Sequence, residues 1–246
     1  MAGTYVQKLG TDLDLSGGSS PRAINLSVKP TAGNQIVIDC SLYNSTARTW
    51  SGASATDNCS PANTYTLRAI TSQVPGSNGV AAAAFVCDNV QNIPGGTMTV
   101  TITLPGFCFC GIEVYEFTGF DTAGAFDSEA VGSASATTTS TTPSVTAVAS
   151  ATTLLARVLI DSGDTNVNLN LPSGWTDVEV HQDSVNTFAG RLVYKNVTGT
   201  GSQSGATFTH DSANTALYTL ALKDAAGGGG APVPVFLHNL QQQGIA

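Results

Sequence analysis

Apolar and polar residues alternate along much of this chain. The clearest run is Thr97 to Leu104 (TMTVTITL), with threonine on one face and apolar side chains on the other. A period of two sends successive side chains to opposite faces, so the run predicts a half-buried antiparallel strand. No long stretch carries apolar residues at helical spacing. Strand-like runs recur at short intervals and are punctuated by Gly, Asn, Pro and Ser. That rhythm predicts an all-β sandwich or barrel and argues against βαβ units.

The runs also repeat. Ala32–Leu42 (AGNQIVIDCSL) matches Ser150–Ile160 (SATTLLARVLI), and Asn63–Ala69 (NTYTLRA) matches Gly174–Val180 (GWTDVEV). Val80–Val90 matches Phe188–Thr198, Gly96–Thr103 matches Gly201–Thr209, and Gly111–Thr118 matches Ala216–Lys223. Blocks recurring in one order at similar distances point to a duplicated unit. The expected organisation is an extended N-terminal arm over 1–22, a β-sandwich of jelly-roll or Ig-like type over 23–120, a second over 121–225, and a tail over 226–246. The Ser/Thr-rich segment Gly132–Ser144 reads as a linker. Threonine is β-branched and Val145, Ala147 and Ala149 alternate just after it, so part of the segment is expected to open the second unit as a strand.

Past Asp224 the pattern breaks. Four glycines, 227 to 230, form a hinge of high backbone entropy, and the apolar residues Val233, Val235, Phe236, Leu237 and Leu240 follow. Free tails are normally polar, so this one is expected to dock onto a partner.

Composition narrows the function. Only 11% of residues are charged, the net charge is −8 and the nine Lys and Arg form no cluster. Average chains carry about 25% charged residues. Nucleic acid and anionic membranes both need clustered basic residues, so neither is an expected partner. No stretch approaches the ~20 apolar residues of a spanning helix. The N-terminus lacks the basic start and apolar core of a signal peptide. The five cysteines, at 40, 59, 87, 108 and 110, form an odd set confined to the first half. They read as small buried hydrophobes or one fortuitous bridge, because no histidine lies nearby to complete a metal site.

Chemistry is scarce. None of His181, His210 and His238 sits in a metal motif, and His210 reads as a polar loop residue. No G-x-S-x-G pentapeptide occurs. Glu113 and Glu116 lie three apart on one strand and so face opposite sides. That spacing excludes a glycosidase pair and leaves one carboxylate solvated and the other at an edge or interface. Asp161, Asp164 and Asn166 share a loop that has oxygen ligands for calcium but lacks the EF-hand spacing; turn formation explains the same residues. Of the two tryptophans, Trp175 is expected in a core. Trp50, in the irregular loop RTWSGASATDNCSP, is the candidate for an exposed contact with a sugar.

The series NTYTLRA, VAAAAFVCDNV, GTMTVTITLPG and GIEVYEFTGFDTAGAFDSEAVGS, followed by SGWTDVEVH and FAGRLVYKNVTGTGSQSGATFTHDSANTALYTLALKD, resembles a β-sandwich module of bacteriophage virion proteins and bacterial surface proteins. The resemblance spans roughly 30–224 and carries no catalytic residues. Surface proteins normally carry a signal peptide; virion proteins assemble in the host cytoplasm and leave by lysis. The resemblance therefore implies a non-enzymatic virion component: a capsid decoration (cement) or head-fibre protein, self-associating and docked through a terminal segment onto other virion proteins, the major capsid protein first. A tail-fibre or adhesin-type protein recognising a host-surface glycan is the alternative.

Overall fold

A computed structural model describes residues 1–18, 20–44, 49–71, 79–104, 108–161, 168–183 and 188–226. It is all-β. The first half contributes β1 (Thr4–Gly18), β2 (Arg22–Asn25), β3 (Gln35–Asn44), β4 (Ser54–Asp57), β5 (Thr66–Arg68), β6 (Gly79–Cys87), β7 (Thr99–Thr103) and β8 (Cys108–Thr118). The second contributes β9 (Phe126–Thr141), β10 (Val145–Ala147), β11 (Ala151–Asp161), β12 (Thr176–Asp183), β13 (Phe188–Thr198), β14 (Gly201–Gln203) and β15 (Thr207–Lys223).

These strands form two five-stranded sheets, β1-β8-β3-β6-β5 and β12-β13-β11-β15-β9, a three-stranded sheet β2-β7-β4 and a two-stranded sheet β10-β14. The small sheets cover the outer faces of the large ones. Ile24, Val100 and Ile102 pack on Ile38, Cys40 and Ile112 in one core. Val145 packs on Leu154, Ala156 and Val158 in another. Between the large sheets lies a third core, with Val37, Ala84 and Phe117 against Leu155, Leu192 and Leu220.

This layering explains a feature of the sequence. Every residue of β6 is buried, as is nearly every residue of β11. A strand covered on both faces reads as a continuous apolar run rather than an alternation, and VAAAAFV and TTLLARVLI are such runs. By contrast β7, covered on one face, keeps the strict Thr/apolar alternation.

The N-terminal segment is extended, as expected, but it is not a free arm. Residues 4–18 pair with β8 from Thr4↔Thr118 to Gly18↔Cys108. Leu9 anchors the strand by burial in the first core. Of the Thr-rich segment Gly132–Ser144, expected to be part strand and part linker, residues 132–141 belong to the edge strand β9, paired with β15 from Leu222↔Phe126 to Thr207↔Thr141. The apolar tail, Val233, Val235, Phe236, Leu237 and Leu240, lies outside the described residues.

Candidate functional site

Strand alternation puts charge into the middle of the molecule. On β3, Ile38 and Cys40 face the small sheet, so Asp39 and Ser41 face the opposite large sheet. On β11 the same geometry turns Arg157 inward from the other side, and on β8 it turns Glu113 inward. Asp39 and Arg157 are each 1% exposed. Arg157 Nε stands 2.9 Å from Asp39 Oδ2, too far out of line for a hydrogen bond at either atom, so the contact is ionic. Arg157 Nη2 donates to Ser41 Oγ at 2.9 Å, and Tyr218 Oη donates to Asp39 Oδ1 at 2.8 Å.

Glu113 extends the cluster towards the sheet edge. It accepts from Tyr115 Oη at 2.8 Å and from Lys8 Nζ at 2.9 Å. Lys8 also stands 3.8 Å from Glu179 of β12, and His181 Nδ1 stands 4.0 Å from Glu113 Oε1. Burial pushes the Asp39 carboxyl up to about 6, against the opposing pull of Arg157. Burial also pushes on Glu113, but Arg157, Lys8 and the Tyr115 hydroxyl outweigh it and hold that carboxyl below its ordinary value. Gly190 of β13 makes room for the guanidinium: a Cβ there would lie 2.5 Å from Arg157 Nη1. These groups are spent on one another between two sheets. The arrangement suits holding and aligning the sheets.

A second polar centre joins the end of β4, the approach to β5 and the segment that follows β6. Asn63 is its hub. Asn63 Nδ2 donates to Asp57 Oδ2 at 2.7 Å and to Asn92 O at 3.0 Å. Its Oδ1 accepts from the backbone of Gln91 and Asn92, and Gln35 Nε2 donates to Asp88 O. The backbone of 88–92 is thereby pinned. It borders a cavity of about 200 Å³ lined by Pro61, Thr64, Thr66, Asp88, Asn89 and Gln91. The side chains of Thr64, Thr66, Asn89 and Gln91 make no hydrogen bond among the described residues. Cys59 and Cys87 lie beside this hub, and burial pushes both thiols up to about 11. A thiol held so high is a poor nucleophile.

The residues singled out from sequence fall as follows. Trp50, expected as an exposed contact, is 0% exposed. Its loop turns the indole under the sheet into the first core, where Nε1 donates to Ala81 O at 3.4 Å. Burial of so large an apolar ring outweighs the irregularity of the segment that carries it. Trp175 packs in the core that Val145 shares with Leu154 and Ala156. Glu113 and Glu116 do face opposite sides, but neither is solvated, at 3% and 0% exposure. Glu116 holds a loop by accepting from Thr31 N, Asn34 Nδ2 and Gln7 Nε2.

His210, expected in a polar loop, is buried within β15, where Nε2 lies 2.9 Å from Ser140 Oγ and Nδ1 lies 2.7 Å from Asp211 O. Ser140 is buried as well. Asp161 is buried at the end of β11, while Asp164 and Asn166 lie outside the described residues. Among the described residues no three His, Cys, Asp or Glu converge as metal ligands. Cys40, Cys59, Cys87 and Cys110 are buried and not joined in disulfides.

Asp39, Arg157 and Asn63 were missed. A signal was there: Asp39 and Arg157 are single charges in the apolar runs QIVIDCSL and TTLLARVLI, at the same place in two matched blocks. Comparison with protein-family models, with curated proteins and with solved structures found no match.

Proposed function

We propose that this chain is a non-enzymatic structural protein of a bacteriophage particle, a capsid decoration or head-fibre protein that docks through its C-terminal tail. The observation that carries the reading is how the chain is held where the tail begins. Asp224 Oδ1 accepts from Gly3 N at 3.1 Å and from Thr153 Oγ1 at 2.6 Å. The Ala225 amide donates to Gly119 O at 2.7 Å. A segment spanning up to about 65 Å if extended therefore leaves from a fixed point. Residues 4–18 are engaged in a sheet, and the tail carries five apolar side chains to offer a capsid surface.

Removing residues 231–246 is expected to leave the unfolding midpoint unchanged and to abolish incorporation into particles. Full occupancy by the truncated chain, counted by quantitative gel densitometry of purified particles, would sink the idea.

The adhesin reading keeps one supporting observation now that Trp50 is buried. The cavity at Asn89 and Gln91 offers amides, hydroxyls and the Asp88 carboxylate on a pinned backbone, a set that suits neutral sugar hydroxyls. Titration with neutral monosaccharides is expected on this reading to shift the amide resonances of Asn89 and Gln91 at millimolar concentration. Unmoved resonances with every sugar remove it.

A further inference from the structure

The two large sheets carry the same strand order: read from opposite edges they run β1-β8-β3-β6-β5 and β9-β15-β11-β13-β12. Their ladders agree residue by residue. Asp39 lies opposite Glu113 and Ala84, while Arg157 lies opposite Tyr218 and Leu192. The sequence blocks match these same positions: Asp39 with Arg157, Glu113 with Tyr218, Ala84 with Leu192. Lys8 lies opposite Tyr115, and Glu129 opposite Leu220. Since Tyr115 and Leu220 are matched, Lys8 and Glu129 occupy one position. Arg68 and Glu179 are matched in the same way, opposite Ala84 and Leu192.

Each of these three positions carries opposite charge in the two halves. Two of the contacts between the sheets join unlike signs, and at the third position the Arg68 guanidinium lies 3.8 Å over the Phe126 ring. Asp39 meets Arg157 at the centre, and Lys8 meets Glu179 at one edge. At the other edge Glu129 Oε2 accepts from Ala69 N at 2.9 Å, beside Arg68. Surrounding apolar positions do not distinguish the halves: Val37 corresponds to Leu155, and Phe117 to Leu222. Two first-sandwich faces set together in this geometry would place Asp39 on Asp39 and Lys8 against Arg68. Two second-sandwich faces would place Arg157 on Arg157 and Glu129 against Glu179. Like charges buried without partners are strongly unfavourable.

We propose that the face between the large sheets is a charge-coded pairing surface, complementary to the unlike sandwich of this chain and repelling its own kind. The volume of the matched residues agrees. Gly190, which accommodates the Arg157 guanidinium, corresponds to Ala82, which lies opposite Ser41. Where many copies of a chain crowd together, such a face keeps each first sandwich on a second sandwich and prevents like sandwiches from joining neighbouring copies. The proposal rests on the equivalence of the halves and is independent of any particle.

Three full-length variants test it. Glu129→Lys, Arg157→Asp and Glu179→Arg together give both faces the first sandwich's charges. Lys8→Glu, Asp39→Arg and Arg68→Glu, with Ala82→Gly for space, give both faces the second sandwich's charges. The third variant combines all seven changes, which reverses every pair. Each one-sided variant is expected to lose most of the wild-type denaturation midpoint and to stay monomeric by native mass spectrometry. The full reversal is expected to recover most of that loss. A self-dimer of either one-sided variant, or a reversal no more stable than they are, overturns the proposal.

Discussion

Replacing Arg157 by alanine is expected to cost about 3–5 kcal/mol of folding stability at neutral pH, read as a lower denaturant midpoint. The loss comes from what stays behind. Asp39 keeps only the Tyr218 hydroxyl, Ser41 loses its donor, and Glu113 loses one of the two cations that hold it ionised. Gly190→Ala should move stability the same way, because the added Cβ meets the guanidinium. A variant as stable as wild type would mean that the cluster is not buried as described.

The pH response of this cluster follows from two opposed carboxyls. Asp39 has a folded value raised to about 6 from 3.8, so the folded chain holds its proton more tightly. Its contribution to stability is complete at low pH and is lost as pH rises through about 4 to 6. Glu113 is held below 4.5, so its contribution is present above that value and is lost on acidification. Asp39→Asn removes only the first effect. Relative to wild type the variant should therefore gain stability as pH is raised across that window, measured by urea melts at a series of pH values. A difference that stays flat with pH would rule out a raised Asp39.

Trp50→Ala is expected to cost about 3–5 kcal/mol, the range for emptying a core of a large aromatic ring. The indole is fully covered among Ile38, Leu42, Ile102 and their neighbours. Only Trp50 and Trp175 fluoresce as tryptophan in this chain, so the Trp175→Phe background isolates its emission. That emission should be blue-shifted and insensitive to iodide. Quenching at the rate of free indole, or a change under 1 kcal/mol on truncation, would return Trp50 to the surface.

The legible part of the fold was the part set by local pattern. Alternation at 97–104 marked β7, and four of the five matched blocks fell on strands of the two large sheets, while Gly96–Thr103 and Gly201–Thr209 fell on strands that pair differently. Residues 4–18 were harder, because their role comes from pairing with β8, over a hundred residues away, and local sequence does not encode that partner. Trp50 misled for the same reason: Ser, Gly, Asn and Pro around it describe the path of the loop and say nothing about what lies beneath. The inter-sheet cluster was half legible. Isolated charges in apolar runs were visible, but a strand buried on both faces hides which face a charge points to until the second sheet is in place.

The position of β15 also governs how the molecule bears mechanical load. It lies between β11 and β9, bonded on both sides, and it runs directly into the segment that precedes the tail. A pull on that tail enters the sheet along the axis of β15. Antiparallel ladder bonds lie perpendicular to the strands, so such a pull shears two ladders together instead of peeling one bond at a time. Tension at the tail would thus be spread across the second large sheet, and the bonds of Ala225 to Met1 and Gly119 would be the first contacts to yield, ahead of the clamp on Asp224.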